Sequence, residues 1–267
     1  MQSKKIDDEI LNQGGDLGAI TNTLMNSTPN NNYTILNKSM LPSKGLFYPQ
    51  EIKYKKLTTI DIKNLSTVNS DTLDGVMNSV LSRNIININV NDIFVGDKIW
   101  LIFFLRSVTY NDYPYAIRYK CDNCGNSSIF NMRFNDLTID YLKEDFNYSY
   151  KMDNNDVIEI TFPTVGNEIS CNQIIQEPEK YTMDGIIDEE LLNIACYIKS
   201  VNGTKLSIMK AYDYITNLDG ISFTNFSNYM SDVNFGVKPY ININCECGGT
   251  TIVPLTFTSD YFMPKIK

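Results

Sequence analysis

The sequence of 267 residues contains no histidine. Imidazole is the usual general acid or base near pH 7 and a common ligand for metal ions. Its absence excludes Ser-His-Asp and Cys-His nucleophile systems, together with every metal site that uses a histidine ligand. Acid–base catalysis would need a carboxylate, lysine, tyrosine or cysteine with a strongly shifted pKa. We therefore expect that the protein is not an enzyme.

Long hydrophobic runs and an excess of positive charge are also lacking. The most apolar run, residues 99–105, is far shorter than the roughly 18 residues of a membrane span, and the amino terminus has no apolar stretch of the signal-peptide type. The 31 acidic residues outnumber the 23 basic ones, giving a net charge of −8. An acidic surface disfavours both nucleic acid and anionic membranes. We expect a soluble protein made in a cytoplasm, with no membrane partner.

The amino-terminal part divides into an arm and a helical region. Residues 1–38 are polar and predict a flexible arm, which is either a plain tail or a segment that orders on a partner. Residues 39–114 begin with a loop at Leu41–Pro49, where two prolines and a glycine separate large apolar side chains. This composition is typical of an ordered turn rather than a linker.

Three helices are predicted to follow this loop. The first covers residues 59–65 and has a threonine cap, and the second covers residues 71–83 with Asp71 as its cap. The third runs through Trp100 to about residue 108, with Asp92 or Asp97 as its cap. Because it is apolar on every side, we expect it to form the buried centre of this region.

Residues 115–267 predict strands around a helical insert. Alternation with a period of two marks strands at 115–120, 128–134, 157–162 and 240–244, and a further strand returns after the last of these. Helical patterns at 168–176, 188–200 and 205–217 predict an insert over about residues 168–230. The fold class expected from the whole chain is α+β, with strand hairpins joined by a zinc-ribbon-like site.

Four of the six cysteines are placed as metal ligands. Cys121 and Cys124 are followed by a glycine, as are Cys245 and Cys247, and each pair occupies the predicted turn between two strands. Two such turns meeting at one tetrahedral ion form a zinc ribbon. We expect one structural Zn²⁺. The alternatives are reduced thiols without metal, a redox-active pair and, least favoured in a cytoplasmic product, disulfides. Cys171 and Cys196 lie in helical patterns and are interpreted as small core residues.

Several of these segments together resemble a known family. They are Leu41–Pro49, the helix ending in Leu65-Ser-Thr, Asp92–Asp97, Trp100–Arg106, Tyr119–Cys124 and Cys245–Gly248. Their order over about residues 40–262 resembles the baseplate hub and hub-assembly proteins of T-even-type contractile-tailed bacteriophages. The resemblance implies a non-enzymatic role in building the baseplate hub, through contacts with other hub or tail proteins.

The resemblance also implies where the protein acts and which residues matter. The location would be the host cytoplasm during assembly and, for a component that stays in the particle, the tail baseplate of the virion; an oligomer is left open. The four paired cysteines would be the shared metal site. The residues expected to bind a partner are Leu41, Pro42, Ser43, Lys44, Gly45, Phe47, Tyr48 and Pro49.

Two other function classes compete with this interpretation. The first is a zinc-ribbon nucleic-acid-binding or transcription-related protein, because Arg118, Lys120 and Arg133 lie near the first cysteine pair. The net negative charge opposes it. The second is an enzyme that uses carboxylates or thiolates, for which the sequence offers no recognisable catalytic motif.

Overall fold

The computed structural model describes residues 33–69, 72–231, 234–255 and 259–264. From Ile35 onward the chain forms one compact unit. Residues 1–32 of the predicted arm lie outside the described residues, and so does Asp71, the predicted helix cap. Leu36, which was assigned to the arm, is buried and donates its N–H to the carbonyl of Ile52. Residues 33–38 of the predicted arm are thus part of the described structure, and Leu36 belongs to its core.

The described residues up to Tyr110 form three short strands and three α-helices. They are β1 (Thr34–Ile35), β2 (Lys53–Tyr54), α1 (Thr59–Ser66), α2 (Leu73–Asn84), β3 (Ile85–Ile86) and α3 (Val95–Tyr110). The strands form a sheet in the order β1-β2-β3. Helix α1 begins at a capping box, in which Thr58 accepts the N–H of Asp61 and the Asp61 carboxylate accepts the N–H of Thr58. The predicted threonine cap is confirmed.

Helix α3 is the buried centre of this part, as its sequence predicts. All residues from Trp100 to Arg106 are buried. Its cap differs from the prediction, because Phe94 occupies the N-cap position and makes no side-chain cap. Asp97 points inward and accepts the N–H of Ser43 at 2.9 Å and the hydroxyl of Tyr48 at 2.8 Å. The carboxylate is thus used to hold the preceding loop rather than to cap the helix.

The rest of the chain contains ten strands and further helices within the described residues. The strands are β4 (Tyr115–Lys120), β5 (Ser127–Met132), β6 (Ile139–Asp140), β7 (Ser149–Lys151), β8 (Val157–Ile160), β9 (Ile198–Val201), β10 (Thr204–Lys205), β11 (Gly236–Val237), β12 (Tyr240–Asn244) and β13 (Thr250–Pro254). The helices are α4 (Val165–Gln176), α5 (Glu189–Ala195), α6 (Ile208–Thr216), α7 (Gly220–Ser231) and α8 (Ser259–Phe262). Every pairing among these strands is antiparallel.

Two hairpins pack against the first core. Strand β4 pairs with β5 from Tyr115↔Met132 to Lys120↔Ser127, and β12 pairs with β13 from Tyr240↔Pro254 to Asn244↔Thr250. Met132, Ile241 and Ile243 point inward and join the core around α3, because inward and outward positions alternate along a strand. Both predicted hairpins are present.

Between the hairpins the chain builds a second core with its own sheet. The strands pair in the order β10-β9-β8-β7, and helices α4, α5, α6 and α7 contribute to the same apolar cluster. The predicted helical insert at 168–230 is therefore wrong in part, since β9 and β10 fall within it. Residues 198–201 alternate between buried and more exposed positions, and Asn202-Gly203, both with positive φ, turns the chain into β10.

A buried lysine connects the helices of the two cores. Lys98 in α3 is 1% exposed, and its Nζ donates at 2.7 Å to Asp74 of α2 and at 2.7 Å to Glu168 of α4. A buried ammonium group needs such partners, because water is not available to solvate it. The observed mixture of helices and small antiparallel sheets confirms the α+β class. Among the described residues, no helix is long and apolar enough to cross a membrane.

Candidate metal centre

The turn after β4 forms the first cysteine knuckle. Cys121 donates its N–H to the carbonyl of Asn126 at 2.9 Å and accepts the N–H of Gly125 on its own carbonyl at 2.9 Å. Gly125 has a φ of 71°, in the left-handed region that glycine adopts without a steric cost. The glycine after Cys124 thus allows the chain to reverse within a few residues and to bring both thiols to one side.

The turn after β12 repeats this arrangement with one residue fewer. Cys245 donates its N–H to the carbonyl of Gly249 at 2.8 Å, and Gly248 donates its N–H to the carbonyl of Cys245 at 2.9 Å. Gly248 has a φ of 83°, so it takes the place that Gly125 has in the first knuckle. The shorter spacing between Cys245 and Cys247 is therefore accommodated by the same closing hydrogen bonds.

The two knuckles bring four sulfur atoms together although 121 positions separate Cys124 from Cys245. The Sγ atoms of Cys121 and Cys247 are 3.7 Å apart, and those of Cys124 and Cys245 are 3.9 Å apart. All four lie within 4.8 Å of one another. Sulfurs bound to one tetrahedral zinc at about 2.3 Å are separated by about 3.8 Å. The four cysteines therefore have the chemistry and spacing to bind one metal ion.

Contacts between the knuckles hold them in this position. The N–H of Asp122 donates to the hydroxyl of Thr251 at 3.1 Å, and the Asn123 amide donates to the sulfur of Cys247 at 3.5 Å. Gly249 packs so closely that a Cβ atom placed on it would lie 2.6 Å from the Cβ of Asn123. The absence of a side chain at residue 249 is therefore a condition for the approach of the two turns.

Hydrogen bonds to sulfur favour the thiolate form of two cysteines. The Asn123 amide and the N–H of Gly249 lower the pKa of Cys247 to about 6. The N–H of Cys124 is the main cause of the lowered pKa of Cys121. For Cys124 the N–H of Asn126 acts in the same direction, but desolvation and hydrogen bonds with the other thiols raise its pKa to about 11. Such N–H groups also orient sulfur ligands around an ion.

The predicted partner-binding loop is largely built into the interior. Of its eight residues, the structure buries Leu41, Pro42, Ser43, Gly45 and Tyr48, leaves Lys44 and Phe47 half-buried, and exposes Pro49. Tyr48 is anchored by Asp97, whose pKa burial raises to about 6. Leu46, within the same loop, is an exposed large apolar residue, at 59%. Partner binding by this loop stays a prediction, to which the structure adds Leu46 as the residue at its tip.

Two features of the site region were not expected from the sequence. Asp97 was interpreted as a helix cap, although a lone carboxylate in the first turn of an otherwise apolar helix was the signal that it had an internal partner. The core cysteines Cys171 and Cys196 are buried, as predicted, but their sulfurs lie 3.3 Å apart. The basic residues noted near the first knuckle, Arg118, Lys120 and Arg133, are all exposed.

The comparison with known proteins supports one family. A family model described as T4 bacteriophage base plate protein matches residues 33–263, which include the loop, both cores and both knuckles. No curated protein and no solved structure gives a significant match. The match covers most of the chain and agrees with the resemblance noted for residues 40–262. The chain therefore belongs to the T4 bacteriophage base plate protein family.

Proposed function

We propose that the chain is a structural or assembly component of the central hub of a contractile-tail baseplate and acts through protein–protein contacts. The family match over residues 33–263 carries this proposal, because the family has a baseplate role. Such a role implies a non-enzymatic protein, which accords with a sequence that lacks histidine. Its partners are other hub or tail proteins. It acts in the host cytoplasm during assembly and, if it stays in the particle, in the virion tail.

The proposal includes one structural Zn²⁺ held by Cys121, Cys124, Cys245 and Cys247. Four thiolates complete a tetrahedral coordination sphere and leave no position for a substrate or water. Because the two knuckles lie before and after the insert in the chain, the ion ties together the hairpins that flank the insert. Protein purified under reducing conditions should contain about one zinc per chain. Metal analysis that finds none would contradict this part.

The tip of the Leu41–Pro49 loop is the proposed contact surface. Leu46 exposes its apolar side chain. On the buried side of the loop, the Asp97 carboxylate accepts hydrogen bonds from the N–H of Ser43 and the hydroxyl of Tyr48, and these bonds hold the loop in place. A loop held rigid before binding loses less conformational entropy when a partner covers it. Leu46 at the tip can therefore be buried by a partner without rearrangement of the loop.

Genetic complementation tests both the role and the surface. In the phage that encodes the chain, disruption of the gene should stop the formation of complete baseplates, as seen by electron microscopy. A copy carrying L46D should fail to restore them, while I221D, which changes an equally apolar side chain that is 72% exposed in α7, should restore them. Equal melting temperatures of the two variants would exclude misfolding. Complete tails without the protein would contradict the proposed role.

The competing nucleic-acid role has a direct test as well. Arg118 and Lys120 are exposed beside the first knuckle, which is the observation in its favour. Binding that depends on phosphate contacts weakens steeply as salt rises. A gel shift that disappears with added salt, and in R118A, would support that role. No shift at low salt would leave the baseplate role as the better account.

A further inference from the structure

Two buried thiols of the second core lie in contact, away from the four metal-ligand cysteines. Cys171 lies in α4, and Cys196 directly follows α5. Their sulfurs are 3.3 Å apart, and the residues are 4% and 6% exposed. Both are free cysteines. A disulfide has an S–S distance of about 2.05 Å, so an approach of little more than 1 Å would join them.

A cavity borders one of these two cysteines. It has a volume of about 270 Å³, and Cys196 lines it together with Lys199 and Lys205. Lys199 pairs with the carboxylate of Glu159, whereas Lys205 forms no ion pair with any described residue. The charge of Lys205 also acts on the Glu159 carboxylate, so two cations share one anion and a net positive charge remains beside the cavity. Positive charge at such an opening raises the local concentration of an anionic reagent.

We propose that Cys171 and Cys196 form an oxidation site that a small anionic disulfide of the glutathione class converts into an intramolecular disulfide. The hydrogen bond with Cys171 and burial raise the pKa of Cys196, so only a small fraction of this thiol is deprotonated and the first step is slow. In that deprotonated form Cys196, which lines the cavity, attacks one sulfur of the small disulfide, releasing one thiolate and forming a mixed disulfide. The deprotonated sulfur of Cys171 then attacks Cys196 and releases the second thiolate. The two protein protons end on the two released thiols, so the protein loses two electrons and the small disulfide gains them.

The new bond would connect α4 to the end of α5. It would close a loop of 25 residues, and restricting the unfolded chain in this way stabilises the folded state. In a reducing cytosol the pair stays as two thiols, whereas an oxidising medium favours the bond. For a protein that stays in the virion, which is one form of the proposed function, the second core would thus be cross-linked once the particle reaches an oxidising medium.

Peptide mapping tests the proposal on the full-length protein. The protein is incubated with oxidised or reduced glutathione, blocked with an alkylating reagent, digested without reduction and analysed by mass spectrometry. Oxidised glutathione should produce a cross-linked pair of peptides containing Cys171 and Cys196, with the loss of two hydrogens, and should raise the melting temperature. Recovery of both cysteines in alkylated form would overturn the proposal. Because each peptide is identified, oxidation at the metal-ligand cysteines is counted separately.

Variants test the order of attack and the role of the cavity. C171S should stop at one glutathione attached to Cys196, because the resolving thiol is missing, whereas C196S should acquire no glutathione at the buried Cys171. K205A should react several-fold more slowly than wild type with oxidised glutathione, but equally fast with the uncharged 2-hydroxyethyl disulfide. Glutathione on Cys171 in C196S, or equal slowing of K205A with both reagents, would refute the proposed route.

Discussion

Replacing Gly249 by alanine should weaken zinc binding because it forces the two cysteine knuckles apart. The added Cβ would lie 2.6 Å from the Cβ of Asn123, whereas two carbon atoms in contact need roughly 3.5 Å or more. The turns must therefore separate by about 1 Å. The cross-knuckle sulfur distances of 3.7 and 3.9 Å leave little tolerance, since zinc–ligand distances vary by only about 0.2 Å. We expect a loss of affinity on the order of tenfold to hundredfold.

The assay is competition for zinc with a chromophoric chelator, and the steric explanation can be isolated by a double-mutant cycle. N123G removes the opposing Cβ, so G249A should have little additional effect in that background. G75A is the matched control, because a Cβ at residue 75 has no neighbour within 4 Å; it should bind zinc as wild type does. G249A with wild-type affinity would refute the reasoning, as would an equal effect of G249A with and without N123G.

Three further predictions concern the buried polar groups and a helix cap. The pKa of Asp97 is about 6 in the folded state and 3.8 in the unfolded state, so protonation favours the folded state. As pH falls from 7 to 4.5, the free energy of unfolding of wild type, measured in urea, should therefore rise by about 2 kcal/mol relative to that of D97N. Unfolding free energies of the two proteins that change in parallel with pH would contradict this. K98A should lower the free energy of unfolding by about 2–3 kcal/mol, because Glu168 and Asp74 lose their shared cation. Thermal melting measures this loss, and an unchanged melting temperature would contradict it. T58A should lower the free energy of unfolding by about 1 kcal/mol, again followed by thermal melting, whereas T58S should keep most of the stability that the cap provides. Equal losses in the two variants would argue against the cap.

The local features of the candidate metal site could be predicted from the sequence. A glycine directly after Cys124 and after Cys247 indicated tight turns, and alternating residues on both sides indicated strands. These signals depend on neighbouring residues only, so they do not require knowledge of the fold. That the two turns would meet was inferred from their likeness, and the close approach at Gly249 was not foreseen because it depends on the tertiary arrangement of the two hairpins.

The errors arose where tertiary partners override local preference. Residues 198–200 end the predicted helical segment 188–200, but pairing with β8 draws residues 198–201 into a sheet. The turn at Asn202-Gly203 was the overlooked signal. Asp97 has the sequence position of an acidic residue in the first turn of a helix, yet its carboxylate is buried and accepts hydrogen bonds from Ser43 and Tyr48. Neither partner lies near it in the sequence, so periodicity alone could not identify the contact.

The contact between Cys171 and Cys196 illustrates the same limit. Each cysteine was correctly predicted to be a core residue from its helical surroundings. Their proximity depends on how α4 packs beside α5 across the loop that joins them, and no periodic pattern encodes that distance. The structure thus shows that the two thiols are in contact, which the sequence alone does not indicate.

X-ray absorption at the zinc edge of the purified protein is the most direct test of the central claim, that four thiolates join the two hairpins around one ion. The account predicts four sulfur ligands at about 2.3 Å and no imidazole scattering, since the chain contains no histidine. Protein without zinc, or zinc bound mainly by oxygen or nitrogen, would contradict it.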